Sequence, residues 1–187
     1  MYYVLTYDGF SETEALELPR PDLPDDLEFD NGVKVPKPPK LITFEMTAEE
    51  KGDLGDVVPT GLPGLVISEK FRKTLDGAGV DNIQYVPAEI VDTVAKKTYA
   101  GYFVANIIGV VDCIDMARSQ LTMRAALPDK IRDINELHID EKRAAEQPVF
   151  RLARKSSIIL VNEGVKKAID KAKLKGPGLA EAEGYST

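Results

Sequence analysis

The run YFVANIIGVVDCID, from Tyr102 to Asp115, is the most apolar part of this chain and fixes where a buried centre has to form. It cannot cross a membrane as a helix. That takes about 20 consecutive apolar residues, and Asn106 and Asp112 interrupt the stretch. Val104, Ile107, Ile108, Val110 and Val111 are all β-branched. Branching at Cβ restricts χ1 and suits a pleated, half-buried surface, so the run predicts a central strand, with Gly109 as a bulge or a close backbone approach. Beyond it the period changes. Ile114, Ala117 and Leu121 recur at helical spacing, and Asp112, with Asp115 three residues on, stands where an N-cap and a capping-box acid would stand. The expectation is a strand that passes into a helix at Asp112 and continues to about Arg124.

A length of 187 residues fits one domain. A hydrophobic fraction of 43% is enough for a core, and 29% charged residues is ordinary. The single cysteine, Cys113, allows no internal disulfide, and its place in the apolar run reads as a buried thiol. MYYVLTYDGF has neither a basic leader nor a small-residue cleavage site, which points to a reducing, cytoplasmic home.

Net charge is −7, unevenly spread. Residues 1–30 hold nine acids (Asp8, Glu12, Glu14, Glu17, Asp22, Asp25, Asp26, Glu28, Asp30) and one base, Arg20, for −8. Arg151 to Lys175 holds eight bases against Glu163 and Asp170, for +6. An acidic segment repels nucleic acid and favours basic partners; a solvated, solubilising face is the plainer reading of the same charges.

Along the chain, Tyr2 to Tyr7 is strand-like. Three prolines between residues 11 and 26 predict an exposed irregular segment. Asn31-Gly32 between alternating residues is a hairpin signal, because both central positions need positive φ. The calcium-loop alternative for Asp26, Glu28 and Asp30 fails, since Asn31 sits where that motif needs Gly and Lys37 where it needs Glu. Leu41 to Met46 predicts another strand. Then LVISEKFRKTLDGAGV (Leu65–Val80) and ILVNEGVKKAIDKAKL (Ile159–Leu174) read as one strand-helix unit used twice, 94 residues apart. Ser68 and Asn162 are the caps, each followed by a glutamate that suits the positive helix start. The expected class is α+β, with a mixed or antiparallel sheet carrying both units and an N-terminal β-hairpin extension. Residues 1–40 form the acidic strand and hairpin segment, and 41–187 the body. Asn82–Val86 and Ile131–Ile139 are further strands, while the tail after Gly176 gives little sign of one.

Most catalytic arrangements are excluded by the residues present. The lone histidine, His138, lies in a strand-like segment, and no cysteine-histidine cluster has zinc spacing. Gly77-Ala78-Gly79 follows a helix, whereas a nucleotide loop precedes one. Asp112 and Asp115 could serve as an acid/base pair or hold magnesium; the cap explains both with one ordinary cause.

GDVVPTGLPGLVISEKFRKTL from Gly55, NIIGVVDCIDMARS from Asn106 and VFRLARKSSIILVNEGVKKAI from Val149 resemble an immunity-protein family of bacterial polymorphic toxin systems, the Myxococcus-type immunity proteins, formerly a domain of unknown function. The shared pattern is a strand-helix start at Gly61–Glu69, an Asn-to-Ser centre at 106–119 and a finish at Val149–Glu163. Asn162 departs from the family's usual Ser. The resemblance implies a non-catalytic, cytoplasmic protein that binds and neutralises a cognate toxin, with no cofactor or metal, no nucleic acid and no membrane. On that implication the acids Glu12, Glu14, Glu17, Asp22, Asp25, Asp26, Glu28 and Asp30 would meet a basic, nuclease-like toxin, with Ser68, Asp112 and Asn162 as structural caps. Two other classes stay open: a small enzyme or ligand- or metal-binding domain built on Asp112, Asp115 and His138, and a self-associating protein, such as a homodimer.

Overall fold

In a computed structural model, which describes residues 1–7, 17–24, 27–50, 53–145 and 147–187, the apolar run is divided between two sheets. The strands and helices, in chain order, are β1 (Tyr2–Thr6), β2 (Ile42–Met46), β3 (Val57–Val58), β4 (Leu65–Ser68), α1 (Glu69–Gly77), β5 (Ile83–Asp92), β6 (Lys97–Ile107), β7 (Val110–Val111), β8 (Gln120–Arg124), β9 (Leu127–Glu136), β10 (Val149–Leu152), β11 (Ile159–Asn162), α2 (Glu163–Ala172) and β12 (Gly178–Glu181). The class is α+β with mixed and antiparallel sheets. One sheet runs β2-β5-β6-β4-β3, the other β12-β1-β11-β10-β7, and β8-β9 form a separate antiparallel pair.

The first part of the run ends β6, the middle strand of the first sheet, antiparallel to both β5 and β4. Gly109 then takes φ +107° and the chain crosses to the other sheet, where β7 pairs in parallel with β10. Alternation on β6 supplies two cores at once. Val104 packs with Phe29, Phe44, Val66 and Val86 on one face. Ala105 and Ile107 pack on the other with Phe71, Leu75, Val149, Ile159, Val161, Val165 and Ile169. The second sheet repeats the device. Tyr2, Val4, Phe150, Leu152 and Leu160 point to a third core under β8-β9, while Tyr3, Val149, Ile159 and Val161 point to the shared core.

Both helices begin as local chemistry dictates. The Ser68 hydroxyl accepts the Phe71 N–H at 3.2 Å, and the Asn162 side chain accepts the Val165 N–H at 2.9 Å. Such caps satisfy amides that have no partner within the helix. Asp56 joins the two ends. Its carboxylate accepts the Ser68 hydroxyl at 2.6 Å and the Lys175 N–H at 2.8 Å, and its own N–H donates to the Lys175 carbonyl at 2.7 Å.

Three expectations are corrected. Asp112 caps no helix: residues 116–118 form a turn and Gln120–Arg124 is β8, so Leu121 pairs with Ile134 across a sheet. The Ile114–Leu121 spacing is coincidental, because Ile114 bridges Ile139 and the cross-strand partners outweigh the local period. Asn31-Gly32 makes no hairpin; residues 29–32 form bends, the Val33 N–H donates to the Asn31 side chain at 2.8 Å, and the Gly32, Val33 and Val35 carbonyls are taken by Gly109, Asn106 and Gln84. The tail does form a strand, since β12 pairs antiparallel with β1. β1 lies between β11 and β12, so the chain's first strand and its last belong to one sheet.

Candidate functional site

The segment from Glu17 to Val35 carries six of the eight acids singled out above, and its described residues are fastened to the body along its length. Leu18 is fully buried; its N–H donates to the Pro59 carbonyl at 2.9 Å and its carbonyl accepts the Gly61 N–H at 2.8 Å. A Cβ on Gly61 would lie 2.9 Å from the Arg20 nitrogen, so this approach requires glycine. Phe29 is fully buried against Phe44, Val66 and Val104. The Arg151 guanidinium, also buried, donates to the Phe29 carbonyl at 2.9 Å and the Ser156 carbonyl at 2.8 Å. Burial lowers its pKa, against the pull of nearby Asp30. Gly32, at φ +78°, gives its carbonyl to the Gly109 N–H at 2.8 Å.

Side-chain amides complete the fastening in place of a strand. Gln84 accepts the Val35 N–H at 2.9 Å and donates to the Val35 carbonyl at 2.8 Å, while Asn106 donates to the Val33 carbonyl at 2.9 Å. An amide side chain presents one donor and one acceptor face, as a peptide group does. Gln84 and Asn106 thus act as strand surrogates. Asn106, a polar interruption of the apolar run, is fully buried for this purpose.

Glu17, Asp22 and Glu28 are exposed, and Asp30 is half-buried beside Arg151. Glu28 accepts the Asn31 side-chain amide at 2.8 Å. Glu12, Glu14, Asp25 and Asp26 lie outside the described residues. Asp22 faces a cleft of about 560 Å³ between residues 19–23 and β2, which Arg20, Leu23, Leu41, Thr43 and Glu45 also line. On β2, Ile42 and Phe44 turn inward, so Thr43 and Glu45 turn outward. The Thr43 hydroxyl donates to Glu89 on β5 at 3.0 Å. Three separate segments thereby bring Asp22, Glu45 and Glu89 to one side of the first sheet. The alternation in Leu41–Met46 was enough to turn Glu45 outward, but only the pairing of β2 with β5 brings Glu89 beside it.

Sites weighed for chemistry lie elsewhere, and the structure brings Asp115 beside His138, with the Asp115 N–H donating to the His138 carbonyl at 2.9 Å. Asp112 is half-exposed, 3.5 Å from Arg154. Asp115 accepts the N–H groups of Ala117 at 3.1 Å and Arg118 at 3.2 Å, holding the turn that replaces the expected helix. It lines an open hollow with Asp140 and Arg143. His138 sits between Glu136, 3.2 Å from Nε2, and Glu183, 2.8 Å from Nδ1, with Arg118 bound to the same Glu183 carboxylate. Hydrogen bonds from His138 and Arg118 lower the Glu183 pKa. Cys113 is buried, which pushes its thiol up to about 11. Among the described residues no group of three or more His, Cys, Asp or Glu could hold a metal ion, and no helix is long and apolar enough to cross a membrane. Two of the eight bases in the basic stretch pair within α2, Lys167 with Glu163 at 2.8 Å and Lys166 with Asp170 at 2.6 Å.

Comparison with curated proteins finds no match. The profile of the Immunity protein family (Imm11) matches residues 4–184, from within β1 to past β12, and so takes in the fastened acidic segment together with both sheets. With 184 as the last matched position of 187, nearly the whole chain is accounted for: it belongs to the Immunity protein family (Imm11).

Proposed function

We propose that this chain binds and neutralises a cognate bacterial toxin by contact, without catalysing a reaction, and that its acidic side meets a basic, nuclease-like surface on that toxin. The observation that carries the reading is the gathering of Asp22, Glu45 and Glu89 beside a segment fastened by Phe29, Arg151, Gln84 and Asn106. Complementary charge steers encounter and raises the association rate more than it lengthens the lifetime of a complex. A surface held in advance also avoids the ordering cost of a segment that folds on binding. Asp115 supports the same side of the choice, since its carboxylate is engaged by two backbone amides of a turn. The reading takes residues 41–187 as the body, with the preceding acidic segment strapped to it, and places the pair in the cytoplasm.

Co-expression with the toxin domain encoded beside this chain is the test. The expected result is a complex that survives purification and abolishes the toxin's activity at one-to-one stoichiometry. Failure to co-purify, together with unabated toxicity, would overturn the proposal.

A further inference from the structure

Among the described residues β2 is an edge strand, and its pairing shows which of its backbone groups face away from the sheet. It pairs in parallel with β5, Ile42 opposite Ala88 through Met46 opposite Asp92, without a bulge. The Met46 carbonyl accepts the Thr93 N–H at 2.9 Å, so Met46 turns its backbone groups toward β5. The strand repeat of two then turns Ile42 and Phe44 the same way, and turns the N–H and C=O of Thr43 and Glu45 outward. Beyond the strand the edge is closed, because Glu50 accepts the Thr47 N–H at 2.6 Å and the Thr47 hydroxyl at 2.7 Å.

Exposed edges are usually blunted by proline, lysine, a bulge or a covering loop. β2 has none of the first three: it reads ITFEM and its register is regular. Residues 19–23 run alongside but leave the cleft of about 560 Å³ between themselves and the strand. The cleft has an apolar wall, Leu23 and Leu41, and its charged lining is two acids, Asp22 and Glu45, against one base, Arg20, so it is net acidic. Leu41 is 48% exposed.

We infer that this cleft receives an extended, lysine- or arginine-bearing segment of the partner, added to the first sheet as a strand beside β2. The inference rests on the toxin-binding reading above and names how the partner docks. Main-chain bonds to Thr43 and Glu45 supply affinity without sequence demands, while alternate side chains of the guest meet Asp22 and Glu45. Charge selects against the other obvious guest, a second copy of this chain, since two acidic β2 edges side by side repel.

The test uses the full chain and a short synthetic peptide of alternating lysine and valine, with the glutamate-valine peptide as control, followed by amide NMR at low salt. The expected result is shifts centred on the Thr43 and Glu45 amides with the lysine peptide only. Thr43→Pro removes one outward N–H at an edge position where proline is tolerated, and should weaken binding about tenfold, the equivalent of roughly 1.4 kcal/mol. Glu45→Lys, which leaves the backbone intact, should do so by a similar factor. Shifts located elsewhere, equal binding of the acidic peptide, or affinity unchanged in both variants would overturn the inference. So would a dimer of the free chain on a sizing column that Thr43→Pro dissolves, because β2 would then already be occupied. None of these outcomes depends on the toxin: loss of co-purification with β2 shifts intact defeats the toxin reading alone, and the converse defeats strand addition alone.

Discussion

Phe29→Ala probes the anchor on which the acidic segment's position depends. The ring is fully buried in the core formed by Leu18, Ile42, Phe44, Val58, Leu62 and Val66. Removing it forfeits the transfer free energy of the ring and leaves a cavity that its surroundings fill only in part, at a cost of about 3–5 kcal/mol for buried Phe. The site has little freedom to collapse. A Cβ built on Gly64 would already stand 3.1 Å from the Phe29 Cβ, and the Phe29 carbonyl is held by Arg151 from the other sheet. For a chain of this size each kcal/mol lowers Tm by about 2–4 °C, so the expected fall is roughly 6–20 °C. Denaturant unfolding should show the same loss as a lower midpoint at unchanged slope. Hydrogen exchange should report faster opening at Val35, whose N–H is accepted by the Gln84 side chain at 2.9 Å. A cost under about 1 kcal/mol, far below the range for buried Phe, with exchange unaltered, would refute the claim that Phe29 pins this segment.

Asp56→Ala should destabilise by about 2–4 kcal/mol, read by denaturant unfolding, because it leaves the Ser68 hydroxyl and the Lys175 N–H without the carboxylate that joins α1 to the end of α2. Cys113, buried and with its thiol pushed up to about 11, should resist thiol reagents at pH 8 in the native protein and react promptly once unfolded. Glu183 has a pKa lowered by His138 and Arg118. Its contribution to stability is therefore present above the unfolded carboxylate value of about 4.3 and is lost as pH falls through the lower folded value. Glu183→Gln should flatten the acid limb of a stability-pH curve and leave Asp115 holding its turn; an unchanged acid limb would contradict this.

The strand-to-helix junctions were legible because capping is local. Ser68 and Asn162 each bond an amide three residues away, a distance the sequence displays directly. Tyr102–Ile107 was legible as buried strand because β-branched residues on both faces leave no exposed side to hide. The errors share one cause. At Asn31-Gly32 local turn chemistry lost to Gly109, Gln84 and Asn106, whose positions nothing local encodes. At Ile114–Leu121 a helical period of apolar residues was satisfied instead by bridges to Ile139 and Ile134. The acids before residue 31 could be counted from composition, but Glu45 and Glu89 joined them only through the β2-β5 register and the Thr43–Glu89 hydrogen bond.

The most direct measurement is the association rate of this chain with its cognate toxin across a salt series, for the wild type and for a variant with Asp22, Glu45 and Glu89 replaced by lysine. The account predicts a wild-type rate that falls steeply as salt rises, a low-salt rate at least about tenfold slower in the variant, and dissociation rates that differ far less. Equal association rates for the two proteins at low salt would contradict it.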